Sequence, residues 1–173
     1  MKARKTYLVV LAAILMALTV VVTWVGHIPV PLPIQGAYIH PGDSVIYLSG
    51  YLLGPVWGAA VGGIGSCLAD LLSGAAIYAP ATLVIKAVMG LTAGLMFRMR
   101  RPYALGGILA MLGASLWMCL GYFLYEWMLY GVGNAWASLP FNLIQAAGGV
   151  IIGELLLLVT RKLPFTKKLH PEA

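Results

Sequence analysis

Charge is what this sequence lacks most. Among 173 residues there are eleven Lys and Arg and five Asp and Glu, so charged side chains make up only 9%. A water-exposed domain of this length needs roughly a quarter to a third of its surface charged, which excludes a soluble globule. No polar stretch is long enough to form a separate soluble domain. Cysteine is almost missing too. Cys67 and Cys119 lie in apolar runs, with no CxxC and no Cys/His spacing suited to zinc, so both read as small buried hydrophobes. Catalytic signatures are absent as well: there is no HExxH, no GxSxG and no aspartate-rich metal motif. Without GxxxxGK[ST] the chain holds no P-loop, so any ATP-driven step would need another subunit.

What is present is apolar. Hydrophobic residues make up 61% and the mean hydropathy is +0.93. Several runs approach or exceed the ~20 residues that cross a bilayer. The sequence predicts an all-α integral membrane protein, a single domain over 1–173 with six transmembrane helices. Their expected extents are Thr6 to Gly26, Asp43 to Gly54, Pro55 to Ser73, Pro80 to Met99, Tyr103 to Tyr130 and Ser138 to Arg161. The first run has the basic start of a signal peptide, but "TWVGHIPVP" is a poor cleavage site, so it reads as a retained helix. "HIPVPLPIQGAYIHPGD" carries four prolines and cannot be a regular helix. It is too apolar for a free linker and is expected to fold back as a cap. Residues 163–173 read as a polar cytoplasmic tail.

The formal net charge of +6 does not point to nucleic acid, because the bases flank apolar runs. Lys2, Arg4 and Lys5 precede the first helix. Arg98, Arg100 and Arg101 separate the fourth and fifth, and Arg161, Lys162, Lys167 and Lys168 follow the sixth. Six spans put all three clusters on one side, which the positive-inside rule makes the cytoplasm of a prokaryotic plasma membrane. Both termini are then cytoplasmic.

Small residues recur at four-residue spacing. Gly58, Gly62 and Ser66 form a stripe on the third helix that lets a neighbouring backbone approach. Asp70 continues it, which turns the acid toward protein. Ala13 and Ala17 in "AILMA" form a second small pair on the first helix. They serve either internal packing or docking of another membrane protein.

Ionisable groups at membrane depth cost several kcal/mol and need a reason. Lys86 is the one base outside the clusters, about 9 Å below the outer end of the fourth helix at 1.5 Å per residue. It reads either as an ion-pair partner of Asp70 across the short outer turn or as a ligand contact, with Thr82 one turn above it. At the same level lie Tyr122, Tyr125 and Glu126, Asn134 and Trp136 in the next loop, and Asn142 and Gln145 on one helical face. Amides, aromatics and charge together suit a small flat heteroaromatic molecule. The candidate binding set is Thr82, Lys86, Tyr122, Glu126, Trp136, Asn142 and Gln145, with no metal and no bound cofactor. Glu154 is expected to pair with Arg161, Lys162 or a neighbouring helix. Two other readings stand beside this one. The first is a small membrane enzyme acting on lipid with Asp70, Glu126 and Lys86 as acid and base. The second is a stand-alone carrier or channel, although no repeat of two halves is visible.

With these features assembled, the chain resembles the substrate-binding S components of energy-coupling factor (ECF) vitamin transporters. The likeness covers nearly the whole chain in size, spans, the "AILMA" pair and the proline-containing loop. Its specific part is "GDSVIYLSGYLLGPVWGAAVGGIGSCLADLLSGAAIYAPATLVIKAVMG", residues 42–90, similar to the branch of riboflavin and hydroxymethylpyrimidine carriers. The resemblance implies capture of a vitamin outside and docking through Ala13 and Ala17 onto a membrane coupling subunit that carries two ATPases. It also implies a gate at residues 27–41 and a ligand among the outer halves of the last three helices. Riboflavin, a pyridoxine-like or pyrimidine precursor and pantothenate are the candidate ligands. The first five residues hold no histidine, so the chain departs from the nickel and cobalt members.

Overall fold

Three chain reversals are made at glycines with positive φ: Gly54 at 85°, Gly74 at 77° and Gly131 at 84°. Side chains rarely adopt this backbone, so these positions end helices sharply. They help divide the apolar runs into six helices: α1 Lys2–Val25, α2 Asp43–Leu53, α3 Pro55–Leu72, α4 Ala79–Met99, α5 Ala104–Tyr130 and α6 Val132–Arg161. The computed structural model describes residues 2–32, 37–99 and 104–163, with side chains from residue 6 in the first segment and 105 in the third. Arg100, Arg101, Tyr103, the centre of the proline-rich segment at 33–36 and the tail from 164 onward lie outside the described residues.

Among the described residues, five helices are long and apolar enough to cross a membrane, α2 being the exception. Its eleven residues reach about 16 Å, roughly half of a ~30 Å hydrocarbon layer. Every α2 residue is buried, so the helix is a central post of the bundle. The proline-rich segment occupies the chain before it. Ile28–Pro29 (β1) and Tyr38–Ile39 (β2) pair antiparallel, with Ile28 opposite Ile39 and Pro29 opposite Tyr38. This hairpin delivers the chain to the deep start of α2. Irregular backbone at such depth is tolerated where protein surrounds it.

The small-residue stripe brings α2, α3 and α4 into backbone contact. A Cβ on Gly58 would lie 2.8 Å from the Gly90 carbonyl oxygen and 2.9 Å from the Gly50 Cα. One on Gly62 would lie 2.6 Å from the Lys86 carbonyl oxygen. On α1, Ala12, Leu15, Thr19 and Thr23 are buried, whereas Ala13 and Ala17 are exposed beside Ile14 and Leu18. The alanine pair therefore lies outside the bundle interior.

One expected boundary moves. The last helix begins at Val132, not Ser138, and takes in Asn134 and Trp136. Gly131 makes the turn, and the Asn134 side-chain amide donates to the Tyr130 carbonyl at 2.7 Å. Pro140 is carried inside the helix on its exposed side, where the carbonyl it leaves unpaired is not enclosed.

Candidate ligand site

The site rests on a buried ion pair. Asp43 begins α2 and Lys86 sits about two turns into α4. Both side chains are fully buried, and Lys86 Nζ lies 2.5 Å from Asp43 Oδ1. Gln145 of α6 donates its amide to Asp43 Oδ2 at 2.9 Å and accepts the His40 backbone N–H at 3.1 Å. These contacts join α2, α4, α6 and the hairpin. A buried pair survives only when its remaining hydrogen-bonding capacity is met, and Gln145 meets part of it.

This corrects the expected partner of Lys86, which is Asp43 and not Asp70. Asp70 lies in the last turn of α3, whereas Lys86 lies about 10 Å into α4. The hairpin lowers the start of α2 until Asp43 is level with the ammonium. Asp70 instead accepts a hydrogen bond from the Tyr38 hydroxyl, which ties the hairpin to α3.

Beside this layer lies a small depression, lined by Val30, Ala37, Tyr38, His40, Asp70, Tyr78, Thr82, Tyr122, Glu126, Ser138, Phe141, Asn142 and Gln145. Glu126 accepts hydrogen bonds from Tyr78 at 3.1 Å and from Ser138. Thr82 and Tyr122 share one at 3.0 Å. The Lys86 ammonium lies 5.5 Å from the Tyr122 ring centroid, a cation–π contact from behind the wall. Two buried polar atoms on the lining have no partner, Asp70 Oδ2 and Asn142 Nδ2.

In the hairpin, burial lowers the His40 ring to a pKa of about 3. The neutral ring uses Nδ1 to accept the Gly42 N–H at 3.1 Å, and the Thr23 hydroxyl lies 3.3 Å from the same atom. Burial and the neighbouring Asp70 push the Tyr38 hydroxyl well above the usual tyrosine range, so it stays a donor. His27 stacks on Tyr38 at 4.1 Å.

Of the candidate set, Thr82, Tyr122, Glu126, Asn142 and Gln145 line the depression. Lys86 stands behind it, engaged with Asp43. Trp136 is 62% exposed and packs edge-on against Phe123 at 5.1 Å, away from the lining. The sequence reading left Tyr38, His40, Tyr78, Ser138 and Phe141 out of the set and gave Asp70 only a bracing role. The signal for the first two was a His and a Tyr held between prolines in an apolar loop. At the other end of the bundle Glu154 pairs with Arg161 at 3.4 Å.

Residues 3–162 match the family described as the S component of the ECF-type riboflavin transporter. The chain belongs to that family. It is also 37% identical over 124 residues to an uncharacterised protein of Pyrococcus woesei, covering 72% of this chain and 82% of that one. A second relative is the thiamine precursor transporter HmpT of Lactococcus lactis subsp. cremoris strain MG1363. The identity is 32% over 146 residues, covering 84% of this S component and 82% of HmpT. Both the family and HmpT carry the names of transporter components, and the apolar helices make this S component a multi-pass membrane protein.

Proposed function

We propose that this S component captures a vitamin or vitamin precursor in the depression under the hairpin and delivers it to the cytoplasm. A membrane coupling subunit and two ATPase subunits supply the energy. The observation that carries the reading is the depression itself: a polar pocket with two unpartnered buried atoms, Asp70 Oδ2 and Asn142 Nδ2, inside an apolar bundle. The hairpin acts as its lid, since Tyr38 and His40 both line the pocket and bond to its walls. Counting α2 with its hairpin as a span makes six. Arg98 and Arg161 then face the cytoplasm of a prokaryotic plasma membrane, as do both termini. The whole chain works as one domain. A lipid-directed enzyme would need Lys86 as a free base, and Lys86 is engaged with Asp43.

The coupling subunit docks on the exposed Ala13 and Ala17, where small side chains permit close helix approach. Ala13→Leu with Ala17→Leu tests this. Uptake into cells and co-purification of the ATPase subunits should fall at least about tenfold, while ligand binding and melting temperature of the isolated protein stay unchanged. Unchanged co-purification of the ATPases would refute the docking face. Failure of the wild-type chain to recruit any ATPase would refute the transport reading.

A further inference from the structure

Gln145 lines the depression, yet both ends of its side-chain amide are committed elsewhere. Its Nε2 donates to Asp43 Oδ2 at 2.9 Å and lies 3.5 Å from Met118 Sδ, a weak acceptor. Its Oε1 accepts the His40 backbone N–H at 3.1 Å. That orientation is set from below. Asp43 is bound to the Lys86 ammonium at 2.5 Å, and an ionised carboxylate accepts hydrogen bonds but does not donate them. It therefore takes the NH2 end of the amide and turns the oxygen toward the hairpin. Asp43 is fully buried and does not line the depression. Gly149, one turn beyond Gln145 on α6, brings that helix against it: a Cβ there would lie 3.1 Å from the Asp43 Cβ. The start of α2 and the Gln145 face of α6 are thus held in close register.

We infer that Asp43 is a positioning residue for ligand capture: paired with Lys86, it aims the Gln145 amide so that the amide oxygen catches the hairpin. Gln145 is then a catch for the lid and not a ligand contact. A carboxamide has a donor end and an acceptor end, so the catch works in only one of its two orientations. Reversed, Nε2 meets the His40 N–H, donor against donor. A buried N–H left unpaired costs free energy, and lifting the hairpin toward water relieves that cost. Lys86, too enclosed to meet a ligand, acts on capture through Asp43 and Gln145. This inference rests on the lid reading above and adds the group that sets the lid's catch.

The test is amide hydrogen exchange of the purified full chain, read by mass spectrometry. Overlapping peptides resolve His40, and peptides from the outer end of α5 serve as the control. Two double variants remove both buried charges and so strand neither. Lys86→Met with Asp43→Asn keeps an oxygen that can face Gln145 Nε2, so the His40 amide should exchange within about twofold of the wild-type rate. Lys86→Met with Asp43→Leu removes that acceptor. Exchange at His40 should then quicken about fivefold or more, the worth of one hydrogen bond, while α5 does not change. Asp43→Asn alone adds a third arm. There Lys86 takes the new amide oxygen, the NH2 end faces Gln145, and the Gln145 oxygen turns away from the hairpin. Its His40 amide should exchange faster, and adding Lys86→Met should slow it again. If Asp43→Asn alone does not fold, the two doubles decide the matter. Equal protection of His40 in the two doubles overturns the inference. So does hairpin exchange that rises only in step with α5, as a merely structural role of the pair requires. Recruitment of the ATPase subunits by the wild type, measured separately, decides the transport reading, which survives either result.

Discussion

Lys86→Met removes the cation from a fully buried ion pair while keeping most of its apolar length. The consequence follows from where its partner sits. Asp43 is completely buried, so its charge cannot reach water, and the 2.5 Å contact with Lys86 is lost. Gln145 still donates to Oδ2 at 2.9 Å, which offsets only part of the loss. Stranding one member of a buried pair costs about 3–5 kcal/mol. At about 2–4 °C per kcal/mol for a chain of this size, the melting temperature should fall by about 6–20 °C. Adding Asp43→Asn removes the stranded charge and keeps an acceptor for Gln145, so most of the loss should return. Adding Asp70→Asn should return none of it, because Asp70 bonds to Tyr38 and not to Lys86. The measurement is thermal unfolding of ligand-free protein for the single variant and both doubles. A Lys86→Met protein melting within about 2 °C of the wild type would refute the pairing. Equal rescue by Asp70→Asn would refute the assignment of Asp43.

The packing of α3 on α4 predicts that Gly90→Ala destabilises by about 1–3 kcal/mol, because the new Cβ meets the Gly58 carbonyl. Gly148→Ala, with nothing within 4 Å, should be neutral or stabilising, and melting temperatures compare the two. Asn142→Ala should weaken ligand binding by about 1–3 kcal/mol with little change in the empty protein. Gln145→Ala should lower both, since it bonds Asp43 and His40, and titration beside thermal unfolding separates the cases. His40 has a folded pKa of about 3 against an ordinary value of about 6.5. Its contribution to stability is therefore complete above about pH 6.5 and is lost progressively as pH falls toward 3. His40→Asn, which keeps an acceptor for Gly42, should flatten the slope of melting temperature over that range.

Much of the helical order was legible because long apolar runs and turn glycines are local signals. The site was legible only by level. Thr82, Tyr122, Glu126, Asn142 and Gln145 could be placed at one depth from their distance to helix ends, and they line one pocket. Partner choice was not legible. Lys86 was read as a ligand contact or as a partner of Asp70, sixteen residues away across a turn, and Asp43 was not considered, because nothing local says how deep the chain dips before α2. The hairpin sets that depth through contacts 32 and 105 residues long in sequence, Tyr38 to Asp70 and His40 to Gln145. The start of α6 was hidden by Gly133, which read as loop together with Asn134 and Trp136 but is carried within the helix. Trp136 was misplaced for the same reason, since a helical Trp136 turns outward.

The hairpin's slender attachment has a kinetic consequence. Among the described residues, three hydrogen bonds through side chains hold it to the helices: Tyr38 to Asp70, His40 to Gln145 and Thr23 to His40. At about 1 kcal/mol each, these bonds hold it with about 3 kcal/mol, and the packing of Leu32 and Ala37 against the core adds to that. In the proposed lid role, association would wait on the hairpin's opening. Tight binding in that role would come from a long residence time once the hairpin had closed over its guest. With the hairpin as its lid, the protein would be a slow trap. Its helices need not unfold for it to open, and the lifetime of the closed state sets how long a partner has to find it loaded.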